Sequence, residues 1–201
     1  MTLLSERAAT VESTRAARHP DVQAVYESLD PPEGFRVELI EGVIVMSPTP
    51  VPWHGQLLVD LYEEFLRSNL PPGTAVSFSP VTVDLPMIGG DGYVPDLVVM
   101  DRAAMREKER WRVPAEAFPL VVEVVSANRV SRHNDRVVKP DGYASGPVPL
   151  YFLIDPMREE VCLFSQPIAG RYETATVVPF GGTIRFPEPF DAELDTSIFL
   201  R

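Results

Sequence analysis

Two hydrophobic periods alternate along this chain. Residues 19–29, HPDVQAVYESL, predict a helix stopped by the Pro31-Pro32 pair. FRVELIEGVIVMSP predicts two short strands around a Glu41-Gly42 turn. In WHGQLLVDLYEEFLRSNL the apolar positions 57, 58, 61, 62, 65 and 66 follow the period of an amphipathic helix, which Pro71-Pro72-Gly73 ends. TAVSFSPVTVDL alternates like a strand, PMIGGDGYVP reads as a glycine-rich loop, and DLVVM is a further apolar strand. DRAAMREKERWRVPAEAF is a charged, partly helical connection to the strand PLVVEVVS. The polar segment ANRVSRHNDRVVKPDGYASG then forms a helical crossover to the strand PLYFLID, and VCLFSQ, YETATVVPF and TIRFPEPF read as strands with tight turns. The pattern predicts an α/β (α+β) chain with a mixed sheet flanked by helices and additional C-terminal strands. Residues 1–30 are expected to form a polar, helical N-terminal extension, and residues 31–201 a single domain.

Composition narrows the function. With 201 residues, 45% of them hydrophobic, the chain can bury a real core. It has no apolar run of membrane-spanning length and no secretory h-region, so a cytoplasmic protein with no membrane partner is expected. A lone cysteine, Cys162, excludes an intrachain disulfide framework, and His19 and His133 lack ligand-like spacing to His54 for a zinc site. The formal charge of −11 argues against a general nucleic-acid coat. Lysine is scarce: Lys108 and Lys139 stand against sixteen arginines.

The chemistry begins at Glu123, the one carboxylate in VVEVV. A two-residue period puts Val122 and Val124 on one face and Val121, Glu123 and Val125 on the other, so both faces are mostly apolar, as in a central strand. A carboxylate buried there must be neutralised, paired or bound to metal, because leaving it bare costs several kcal/mol. A structural salt bridge to an arginine would suffice. Asp96, after Pro95 at the head of DLVVM, adds a second acid at a strand end. It could equally be a turn residue, but two acids on adjacent apolar strands suit an oxygen cage for Mg²⁺.

These residues carry a resemblance. Pro-Asp opening one strand, Glu within the next and a lysine nearby are similar to the PD-(D/E)XK nuclease superfamily. More narrowly, VELIEG, the His54-Gly55 pair at a helix start, VPDLVVM, LVVEVVS, then Asp135, Lys139-Pro140, Tyr143 and PLYFLID resemble the Uma-two family of proposed restriction endonucleases. The likeness runs from roughly Phe35 to Leu200, and the tail VVPFGGTIRFPEPFDAELDT resembles the actinobacterial branch. It implies a restriction-endonuclease-like fold, and a metal-dependent DNA endonuclease using Mg²⁺ or Mn²⁺ that works as a homodimer. Asp96 and Glu123 match the metal-binding carboxylates, Glu38 the acid that joins them, and Lys139 the catalytic lysine. Where the simplest superfamily motif has lysine, two residues after the glutamate, this chain has Val125.

Spacing supports Lys139, since Asp135, Lys139 and Tyr143 are four apart and would share a helical face. Pro140 opposes a straight helix there but suits the first turn of a second helical piece. The chemistry calls for a water made nucleophilic and for charge relief on a phosphate, which a carboxylate-held cation and a lysine supply. His54 is an accessory candidate or a cap residue. Tyr143 is a packing residue or an accessory one. Arg129, Arg132 and Arg136 would contact phosphates or form a solvated face. The alternative to an enzyme is a catalytically inactive nuclease-fold domain with a binding or structural role, which the acidic balance favours.

Overall fold

The computed structural model describes residues 21–68, 70–78, 80–85, 89–107, 111–146 and 148–200. His19 and Lys108, and residues 1–20 of the expected N-terminal extension, lie outside the described residues. After the short helix α1 (Asp21–Ser28), strands β1 (Phe35–Ile40) and β2 (Val43–Pro48) form the expected hairpin. Its two-residue turn has positive φ at both positions, 50° at Glu41 and 76° at Gly42, the geometry that matches strand twist in tight hairpins. Helix α2 (Pro52–Arg67) buries His54, Leu57, Leu58, Leu61 and Phe65 on one stripe, with Pro52 in its first turn where a missing N–H is harmless.

TAVSFSPVTVDL is two strands rather than one. Strand β3 (Thr74–Ser77) and β4 (Thr82–Leu85) enter different sheets, and the stretch read as a glycine loop contributes a third short strand, β5 (Asp91–Tyr93). There follow β6 (Leu97–Asp101), α3 (Arg102–Met105), β7 (Arg112–Pro114), β8 (Leu120–Val124), α4 (Arg129–His133), a π-helical turn at Asn134–Val138, α5 (Lys139–Ser145) and β9 (Leu150–Asp155). The chain closes with β10 (Glu160–Ile168), β11 (Arg171–Pro179), β12 (Thr183–Phe186) and β13 (Ala192–Asp195), the last of which the pattern of side chains did not announce.

The mixed sheet is six-stranded, in the order β11-β10-β9-β8-β6-β3, and a second sheet of five strands, β2-β1-β5-β4-β7, joins it. In the first, β8 and β9 are parallel and are linked by the helical crossover anticipated from sequence. Strand β8 obeys the two-residue period. Leu120, Val122 and Val124 join α2, β12 and β13 in one core, while Val121 and Val125 join the five-stranded sheet and α5 in another. The six-stranded sheet is therefore covered on both faces, which is why its central strands read as continuous apolar runs. No described helix is long and apolar enough to cross a membrane.

Helix α5 packs so closely that Gly142 leaves no room for a side chain: a Cβ there would collide with the Tyr93 ring. Gly142→Ala is therefore expected to lower stability by about 1–3 kcal/mol, the usual range for overpacking. Gly55→Ala on α2, where a Cβ meets nothing within 4 Å, should be neutral or stabilising by up to ~1 kcal/mol. Urea midpoints of the two variants decide this, and equal effects would contradict the packing described.

Candidate active site

The acidic residues enter from three elements. Asp96 ends the link between β5 and β6, and Pro95 before it can donate no hydrogen bond. Its own N–H donates to the Val122 carbonyl at 3.1 Å, and its Oδ2 accepts the Val124 N–H at 2.8 Å. The carboxylate thus completes the β6–β8 ladder where β6 has run out. The register Leu97–Val122, extended by one pair, sets Asp96 opposite Glu123, so the two acids share a face. Glu38 reaches the same place from β1, its Oε1 accepting the Val94 N–H at 2.8 Å.

Lys139 joins them. Its Nζ lies 2.7 Å from Glu123 Oε1, 3.0 Å from Glu38 Oε1 and 3.5 Å from Asp135 Oδ1. Tyr143 OH donates to the same Glu123 oxygen at 3.0 Å. Asp135, Lys139 and Tyr143 do share a helical face, and Pro140 sits in the first turn of α5 as its chemistry requires. Its missing N–H coincides with the widened π-helical turn just before it. The lysine is only 1% exposed. Burial opposes its charge, but Glu123, Glu38 and Asp135 outweigh that and hold its pKa above the ordinary lysine value.

Asp96 has a second set of partners. Arg36 Nη1 donates to its Oδ1 at 2.6 Å, and His54 Nε2 stands 3.1 Å from its Oδ2. Burial disfavours the charged carboxylate, yet His54 and Arg36 prevail and keep Asp96 well below the usual carboxylate range. Glu123 behaves oppositely. Burial pushes its pKa well above the usual value, which Lys139 only partly offsets while Asp96, Asp135 and Glu38 add to it. Asp135 is pushed up to about 6, again by burial first, with Lys139 opposing.

All four residues expected to carry catalysis therefore converge, with both accessory candidates, His54 and Tyr143. The three arginines do not join this contact set. Arg136 forms a two-pronged pair with Asp155, with Nε to Oδ2 at 2.7 Å and Nη2 to Oδ1 at 2.9 Å. Arg132 points to Met157, and Arg129 is exposed. Arg36 was missed, although it stands two residues before Glu38 on one strand and so shares its face.

The donor set can be weighed against a hard cation. Glu123 Oε2 is buried and without a hydrogen-bond partner, as are Arg36 Nε and His54 Nε2 beside Asp96, and a buried carboxylate oxygen left unpaired is an opening for a ligand. No three His, Cys, Asp or Glu groups gather at metal-holding distance among the described residues. Mg²⁺ does not need three, since it is commonly held by one or two carboxylates plus waters and phosphate oxygens. Asp96 and Glu123 fit that description. A cleft of about 720 Å³ opens against Asp96 and Arg36.

The arrangement of sheets and helices is a fold already seen among solved structures. Over 88% of its length the chain superposes, with a TM-score of 0.67 and 16% identity, on 96% of a structure described as a putative nuclease belonging to DUF820 from Anabaena variabilis ATCC 29413, which shows a shared fold. Residues 23–198 match the Uma2 family, described as "Putative restriction endonuclease", and the chain belongs to that family. No curated protein matches it.

The raised Asp135 makes stability depend on pH in a definite direction. Its folded pKa, about 6, lies above its ordinary value of 3.8, so its contribution is complete below 3.8 and is lost as pH rises through 6. Asp135→Asn carries no such loss and keeps a polar group beside Lys139. The stability of this variant relative to the parent is expected to rise between about pH 4 and about pH 7 and then level off. Urea unfolding of both proteins across that range measures it, and a difference that stays flat or falls would refute the assignment.

Proposed function

We propose that this chain is a divalent-metal-dependent DNA endonuclease. The observation that carries the reading is the unpartnered Oε2 of Glu123, buried within a cluster of Glu38, Asp96 and Lys139, in a chain of this family. Asp96 and Glu123 would hold Mg²⁺ or Mn²⁺, and Glu38 would orient the site from β1. Such a cation, when bound, lowers the pKa of a water and polarises a phosphoryl oxygen.

The chain's own groups have distinct tasks. Arg36 and His54 keep Asp96 ionised, so it is ready as a hard ligand at neutral pH. Lys139, held charged by its carboxylates, would orient the attacking water or stabilise the negative charge that develops on the phosphate. Tyr143 fixes the Glu123 carboxylate so that Oε1 faces the lysine and Oε2 stays free. Two copies working together would present two sites to two strands.

A second reading is favoured by one observation. Both oxygens of Asp96 already have partners, as in an inactive nuclease-fold domain whose acids have become structural. Plasmid DNA incubated with Mg²⁺ or Mn²⁺, against an EDTA control, separates the two. The endonuclease reading expects metal-dependent nicking that Asp96→Asn or Glu123→Gln abolishes. Lys139→Ala is expected to slow cleavage roughly 10²-fold or more, the scale of a positioned charge-stabilising group. It should also lower stability by about 3–5 kcal/mol, because buried carboxylates lose their cation. Lys139→Arg keeps the charge, yet its planar fork is a poor substitute for a compact ammonium, so the rate is not restored. Equal nicking by parent and variants would assign the activity to a contaminant.

A further inference from the structure

The cleft in front of Asp96 has walls that hydrolysis alone does not require. Asp96 and Arg36 line it, with Glu27, which is paired with Arg112, and the rings of Phe35, Phe78 and Trp111. The three rings are 45%, 40% and 52% exposed. Large apolar surface gathered in one concavity marks a binding site more often than an accident of packing. Two of the rings also pack against a second ring. Phe78 lies 4.7 Å from the Tyr62 ring, centre to centre, and Trp111 lies 6.0 Å from Tyr26. The Arg112 guanidinium, paired with Asp84, sits 5.7 Å from both the Tyr26 and Trp111 ring centres. These aromatic groups are held in place while much of their surface stays open.

We propose that the cleft is a subsite for an unpaired DNA base, stacked on Trp111 or Phe78, with its adjoining phosphodiester directed to Asp96 and Arg36. The choice of occupant rests on the nuclease reading above. Charge supplies the second argument. A chain of net charge −11 gains little from general attraction to phosphates, whereas base–aromatic stacking is independent of charge and available to every base. In a duplex the base faces are covered by one another, so only a single-stranded or extruded base can offer a face to these rings. The Arg36 side chain, 25% exposed at the cleft, supplies a local cation where a phosphate would lie.

The test is binding of a labelled short single strand of DNA to the full chain in EDTA, read by fluorescence anisotropy. A duplex and an RNA strand of the same sequence run alongside. The single DNA strand is expected to bind about tenfold or more tighter than the duplex. Trp111→Ala and Phe78→Ala should each weaken it roughly tenfold, the low end for a lost base–aromatic stack, while Trp111→Phe retains most of the affinity. Trp53→Ala should change nothing, as Trp53 is exposed on α2 and does not line the cleft. Parent-like binding by both alanine variants would overturn the subsite, as would equal or tighter binding of duplex or RNA. So would Trp111 emission that follows protein concentration instead of oligonucleotide, which would mark a second copy as the occupant. Plasmid cleavage with ring-independent binding would sink the subsite and spare the nuclease reading. Ring-dependent binding without cleavage would support the subsite and count against the nuclease reading.

Discussion

A single buried ammonium holds this structure's centre together. Lys139 is bonded to Glu123 on a central strand of the six-stranded sheet, to Glu38 on the five-stranded sheet and to Asp135 one turn before it. Without that cation, three carboxylates would face one another in a region from which water is nearly excluded. Such groups would have to take up protons or pull apart. The lysine therefore joins two sheets and a helical crossover at one atom. The crossover is shaped to deliver it. A straight α-helix through Pro140 would lack a hydrogen bond and meet a steric clash, whereas the π-helical turn followed by a fresh helix start accommodates the ring. Gly142 then lets that helix approach Tyr93 closely enough for the ammonium to arrive.

Much of this was readable from residue order alone. The two faces of β8 follow from a two-residue period, so the placement of Glu123 against a core needed no partner to be known. The four-residue spacing of Asp135, Lys139 and Tyr143 likewise described a real face, because side chains one helical turn apart meet whatever surrounds them. What could not be read depends on pairing across distance. The alternation of TAVSFSPVTVDL is equally compatible with one strand or with two in different sheets, since alternation reports burial and not neighbours. Arg36 looks like any polar residue near the start of a strand, and only the fold brings Asp96 to it. Arg136 fails in the opposite direction. Its place in a basic cluster suggested phosphate, while its guanidinium fork is committed to Asp155 from the end of β9.

The division of labour between the two central acids also comes from surroundings rather than residue type. Asp96 and Glu123 stand opposite each other on adjacent strands, and burial acts on both in the same sense. Asp96 has Arg36, His54 and a backbone N–H to favour its charge, so it stays ionised. Glu123 has a lysine on one oxygen and three neighbouring acids, so its proton is held more tightly. Neighbouring charges and hydrogen bonds thus push two chemically similar groups apart, the pattern by which functional sites give like residues unlike roles.

The charge balance of the cluster connects these facts. Glu38, Asp96, Glu123 and Asp135 are four acids, and Lys139 and Arg36 are the two permanent cations paired with them. With every acid ionised, two negative charges would be left over in a nearly dry interior. In the absence of any further cation, the cheapest relief is to bind protons, and the two acids whose pKa is pushed up, Glu123 and Asp135, are where that relief falls. A divalent cation beside Asp96 and Glu123 would remove the same excess without protons. A ligating carboxylate must be ionised, so such a cation would oppose the upward push on the Glu123 pKa. Burial first, and then this excess of negative charge, raise the Glu123 and Asp135 pKa values, and Glu123 Oε2 is the carboxylate oxygen left free among them. Lys139 and Arg36 together leave two of the four acidic charges uncompensated.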